Sequence, residues 1–147
     1  MRRFVFPLAR VLEWRRLQLR GEESKLEQLY AEQRALDLSR LALEQQAAQA
    51  EAEVRAQGAI DARELSALHS FQQHAAAERR RLAQAHAGCA QRIARQFEAV
   101  VAKKRETRLL EMLYEKRRAA WIREGEQEIT RQAEESHLAK WKRRNIQ

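Results

Sequence analysis

The stretch Gln57-Gly58-Ala59-Ile60-Asp61-Ala62-Arg63-Glu64 is the only place where a helix stop and a helix start stand together in a chain with few breakers. Gly58 suits the left-handed residue just past a helix C-terminus, because it has no Cβ to clash. Asp61 suits an N-cap, and Glu64, three residues on, completes a capping-box pattern. So short a connection predicts that the two flanking helices fold back on each other. The expected fold is all-α: a long two-helix antiparallel coiled-coil hairpin in one domain spanning residues 1–147. Its elements are helix 1 over about 7–57, a turn at 58–61, and helix 2 over about 62–140, with a frayed tail.

Composition agrees. There is one Pro, Pro7, which fits the first turn of helix 1, and only four Gly. Aromatics are 6% and charged residues 34%, which suits a narrow seam better than a thick core. The seam is legible as heptads. Leu12, Leu19, Leu26 and Val54 share one position of helix 1, and Leu8, Leu29, Leu36 and Leu43 the other; Gln33 and Arg40 interrupt the first. On helix 2, Leu65, Ile93, Val100, Tyr114 and Trp121 share one position, and Leu68, Ala75, Leu82, Cys89 and Leu110 the other. Phe97, Val101, Leu109 and Leu113 broaden the stripe. Folding about the turn sets Leu26 near Ile93 and Leu12 near Thr107. Met1 then falls near residue 118, and the helix beyond it has no partner.

Charge follows the same hairpin. Arg2, Arg3, Arg10, Arg15, Arg16 and Arg20 come beside Lys103, Lys104, Arg105, Arg108, Lys116, Arg117, Arg118 and Arg123. After the glutamates among them are set against these, roughly ten positive charges gather at the open end. Residues 21–54 are acidic and face Arg79-Arg80-Arg81, Arg92 and Arg95, a hint of register worth little energy per exposed pair.

Nothing in the chain reads as an active site, and a two-helix hairpin offers no water-excluding pocket. No cofactor motif is present, and the expected enzyme class is none. His86 and Cys89 stand three apart, but two ligands make a poor metal site, and both fall on the seam. The lone cysteine, the absence of an apolar run of membrane-spanning length and the charged N-terminus lead to the expectation of a cytoplasmic protein. The basic end is compatible with nucleic acid, but glutamates are interleaved with the cations and no groove-reading motif appears, so no nucleic acid is expected.

Two segments carry a family resemblance. Phe4-Val5-Phe6-Pro7-Leu8-Ala9-Arg10-Val11-Leu12-Glu13 and Leu110-Glu111-Met112-Leu113-Tyr114-Glu115-Lys116-Arg117, with Glu126-Gln127 following, resemble the opening and closing signatures of the FliJ family. One departure stands out: where many members carry an Asp-Glu pair, this chain has Arg131-Gln132, and the nearest acidic pair is Glu134-Glu135. The resemblance implies a non-enzymatic stalk of the bacterial flagellar type III export apparatus, similar in shape to the central stalk of rotary ATPases. Its implied partners are the hexameric export ATPase, the export gate protein and export chaperones, with peripheral association at the inner membrane through that apparatus. On this reading Arg15, Arg16, Arg117, Arg118 and Trp121 contact the ATPase, and Phe71, shortly after the turn, contacts the gate. Two alternatives stay open on the residues themselves: Trp121 packs on Phe4 or Phe6, and Phe71 packs on the flank of helix 1. Two alternatives stay open on function: the stalk of a virulence-type secretion system, and a nucleic-acid-binding coiled coil.

Overall fold

The computed structural model describes residues 2–146. It is all-helical: α1 (Ala9–Ala56) and α2 (Ala62–Asn145) pack against each other as a hairpin, with no strand among the described residues. Gly58 sits at φ 62°, the left-handed conformation expected of a helix-stopping glycine. Asp61 directly precedes α2, and its carbonyl accepts from the Leu65 amide at 3.1 Å. The expected capping box does not form. Instead the Gln57 side-chain amide, oriented nitrogen-first, donates to the Glu64 carboxylate at 2.7 and 3.2 Å, which ties the two helix ends together across the turn.

The chain divides into two compact units, Arg20–Val101, and Met1–Leu19 with Ala102–Gln147. In the first, burial follows the heptads. Leu43, Ala75 and Leu82 form a core backed by Leu36, and Cys89 is wholly enclosed. Cys89 Sγ donates to the Leu29 carbonyl at 3.5 Å, and Gln96 Nε2 donates to the Glu22 carbonyl at 2.9 Å. These contacts bracket Leu26 and Ile93 and support the expected register. The acidic helix does meet cations, through Glu44–Arg79 and Glu32–Arg92, and Asp37 stands 3.3 Å from the His86 ring, whereas Arg81 turns to Glu78 on its own helix.

Three positions of the expected stripe fail: Leu65, Phe97 and Leu109 are exposed. Near the turn Leu68 and Phe71 are half-buried. The expected frame of Leu68, Ala75, Leu82 and Cys89 is kept, whereas Phe71 and Glu78 are half-buried one residue before the positions set by the frame of Ile93, Val100 and Thr107. A straight helix drifts by about 20° per heptad, and here one edge of the stripe shifts by a residue near the turn while the other holds. In the second unit Leu12 and Thr107 are both buried, as the register requires. Thr107 Oγ1 donates to the Lys103 carbonyl at 2.9 Å, so this buried hydroxyl is satisfied within its own helix. Among the described residues no helix is long and apolar enough to cross a membrane.

Candidate partner-binding surface

Residues 2–6 are not helical, and Pro7-Leu8 turn the chain into α1, with the Ala9 amide donating to the Phe6 carbonyl at 3.1 Å. The segment lays its aromatics on α2. Phe4 meets Tyr114 edge-on at 5.6 Å and Trp121 at 5.7 Å, and Phe6 meets Tyr114 at 5.3 Å with ring planes 84° apart. Such geometries set the positive edge of one ring against the negative face of the next. Trp121 Nε1 donates to the Arg2 carbonyl at 3.1 Å, and the Arg117 guanidinium stands 5.9 Å from the Phe6 ring centre. α2 beyond about residue 118 thus has no partner helix, as expected, but residues 2–6 cover it as far as Trp121. An extended chain rises about 3.3 Å per residue against 1.5 Å in a helix, so residues 2–6 reach further along α2 than a helical continuation would. Gly125 is buried, and every residue from 126 to 146 is exposed.

Many cations of this unit are already paired. Arg15 binds Glu106 at 2.6 Å, with Lys103 at 3.4 Å from the same carboxylate. Arg16 binds Glu111 at 3.3 Å, and Arg108 lies 3.7 Å from Glu111 and 3.5 Å from Glu115. Among the described residues at this end, Arg2, Arg3, Arg10, Arg105, Lys116, Arg117, Arg118 and Arg123 enter no ion pair. The net field therefore stays positive, and these residues contribute more to it than the glutamate-paired Arg15 and Arg16.

No protein-family model, curated protein or solved structure matches this chain.

The residues assigned to the ATPase thus fall into three environments. Arg117 and Trp121 hold down the N-terminal segment, with Trp121 taking the Phe4 contact that was its alternative reading. Arg15 and Arg16 are half-screened by glutamates. Of these five, Arg118 alone is exposed with neither an ion-pair partner nor a ring partner among the described residues. Phe71 belongs to the other unit, in a shallow hollow with Ala50, Val54, Gln57, Glu64 and Leu68. Tyr114, read as a seam residue, is also the ring on which both N-terminal phenylalanines converge. The Phe-x-Phe alternation was the signal for this, since a period of two belongs to an extended segment with one covered face.

Proposed function

We propose that this chain is a non-enzymatic stalk and coupling protein of the bacterial flagellar type III export apparatus, working at the cytoplasmic face of the inner membrane. The observation that carries the reading is the meeting of the two signature segments. Phe4 and Phe6 from the first pack on Tyr114 from the second, with the Arg117 cation against Phe6. Residues that resemble one family at both ends of a chain, and that together build one local structure, support the resemblance more strongly than either motif alone. A slim helix pair with a basic end suits insertion into an acidic-lined ring opening, through attraction that steers before contact is made.

In this reading the export ATPase is bound by the end that holds Arg15, Arg16, Arg117, Arg118 and Trp121. The unpaired Arg118 contributes directly, while Arg117 and Trp121 act by holding the N-terminal segment in place. Phe71, with an open hollow beside it, takes the export gate protein. Export chaperones are further partners of the same assembly. The test is turnover and oligomeric state of the cognate export ATPase with and without this chain. Faster hydrolysis and promoted hexamer assembly are expected, and Arg118→Gln is expected to weaken both with the helical content unchanged. A folded chain that leaves the ATPase unaffected would sink the reading and bring the virulence-type secretion ATPase forward.

A further inference from the structure

The hairpin seam on α1 keeps its heptads: Glu22, Leu26, Leu29, Gln33 and Leu36 are half-buried and Leu43 is buried. At about 3.5 residues per turn each position advances by about 103°, so the seam also fixes what lies opposite it. Ser24, Ala31 and Leu38 point directly away from α2. Gly21, Gln28 and Ala35 lie about 50° to one side of that row, and Arg20, Glu27 and Arg34 about 50° to the other. All nine are exposed. The first two rows carry no charge. The third alternates in sign at heptad spacing and ends on the exposed Leu41. Carboxylates of α1 nearer the seam reach across it, Glu32 to Arg92 and Glu44 to Arg79. Arg20, Glu27 and Arg34 enter no ion pair among the described residues. Glu27 and Arg34 stand about 10 Å apart along the helix, too far to pair with each other. A shallow hollow lined by Ser24, Glu27, Gln28, Ala31, Arg34 and Tyr30 opens on the same side.

An uncharged seam with charges of alternating sign along its edge is what one helix presents to another. We infer that this face of α1 pairs antiparallel with the same face of a second copy of this chain, about a two-fold axis beside Tyr30. In that pairing Leu38 meets Gly21 of the second copy, Ala35 meets Ser24, Ala31 meets Gln28 and Glu27 meets Arg34. The two-fold makes each of these contacts twice. Gly21 has open space where a Cβ would stand, and that space takes Leu38. The charges choose both occupant and direction. A parallel pair would set Arg20 against Lys25 and Glu27 against Glu32. Sliding the antiparallel pair by one heptad would set Arg34, or in the other direction Glu27, against its own copy. One exposed ion pair adds little, whereas opposed like charges exclude a partner or a register. Residues 20–45 hold four cations against six carboxylates, so two copies meet here without the repulsion of their basic ends.

The inference goes beyond the stalk reading and uses none of the residues assigned there. The experiment is sedimentation equilibrium of the full chain alone, from micromolar to submillimolar concentration, with helical content followed by circular dichroism. The wild-type chain is expected to reach a dimer. Glu27→Arg and Arg34→Glu should each weaken self-association by about tenfold or more, since each opposes like charges twice. An equimolar mixture of the two variants should regain it, and so should the chain that carries both substitutions. Both side chains are exposed and unpaired, so helical content should stay unchanged throughout. A wild-type chain that stays monomeric overturns the inference and leaves the stalk reading standing. If Arg34→Glu then lowers retention on the export ATPase, the face belongs to that protein instead. Dimerisation that ignores both single variants, or that neither the mixture nor the double variant restores, overturns the pairing as well.

Discussion

The Trp121 indole donates to the carbonyl of Arg2, 119 residues away in sequence. One hydrogen bond thus joins the described N-terminus to the last well-packed turn of α2, and the Phe4 ring centre stands 5.7 Å from that of the indole. Trp121→Phe removes the donor and keeps a ring; a cost of about 1 kcal/mol in urea unfolding is expected. Trp121→Ala removes the ring contact as well, with an expected cost of about 2 kcal/mol. In both variants a protease should cut within residues 2–6 faster than in the wild-type chain, with α1 intact. Unchanged cleavage there would show that the aromatic cluster does not hold the segment.

The glycines separate two opposite effects of the same substitution. Gly58 is at φ 62°, so Gly58→Ala should lower stability by about 1 kcal/mol even though no atom obstructs the new methyl group. Gly21 lies inside α1 with equally open space, and Gly21→Ala should raise stability by about 1 kcal/mol. Thermal melts of the two variants should shift in opposite directions.

Cys89 is fully enclosed between the helices. Its thiol should react with a disulfide reagent only as fast as the surrounding helices open. Cys89→Leu should cost about 1–3 kcal/mol by overpacking, and Cys89→Ala about 1 kcal/mol. Immediate reaction in native buffer would place the residue outside the seam.

Glu44 titrates below the ordinary carboxylate range, first because Arg79 donates to it and then through the attraction of the Arg79 and Arg40 charges, with desolvation acting in opposition. A folded pKa below the unfolded one means that the native state binds fewer protons between the two values. The pair's contribution is therefore complete above the unfolded carboxylate pKa and is lost as pH falls through the lowered folded value. The stability gap between the wild-type chain and Glu44→Gln should be largest near neutral pH and close on acidification below about pH 4. Both groups are exposed, so salt should narrow the same gap at neutral pH. A gap that is flat from neutral pH to pH 3 would mean the pair contributes nothing.

The hairpin and its register were legible because they depend on short-range chemistry and a repeat: Gly58 for the reversal, and Leu12, Leu43, Leu82 and Cys89 for the seam. Leu65 was misread because a strict seven-residue frame ignores the accumulated twist of a real helix. The reach of the N-terminal segment was underestimated because residues 2–6 were counted at helical rise, although their alternating phenylalanines announce an extended chain; Trp121 on Phe4 was one of the two packings the residues left open. The exposure of Trp14 and Leu109 was hidden for another reason. Periodicity identifies which residues can face a partner helix, but it does not say which large apolar residues are left over once the pairing is made.

Residues 126–145 form about five and a half turns of helix with no side chain covered. In water an isolated helix of that length is near the midpoint of its own helix–coil equilibrium. Its acidic first half, Glu126 to Glu135, stands at the N-terminal side of a basic second half, Lys140 to Arg144, the order that the backbone dipole favours. The segment therefore stores its shape in charge order rather than in packing. Raised salt or low pH should melt it while the paired helices persist, so that ionic conditions set how much of α2 is structured when a partner arrives.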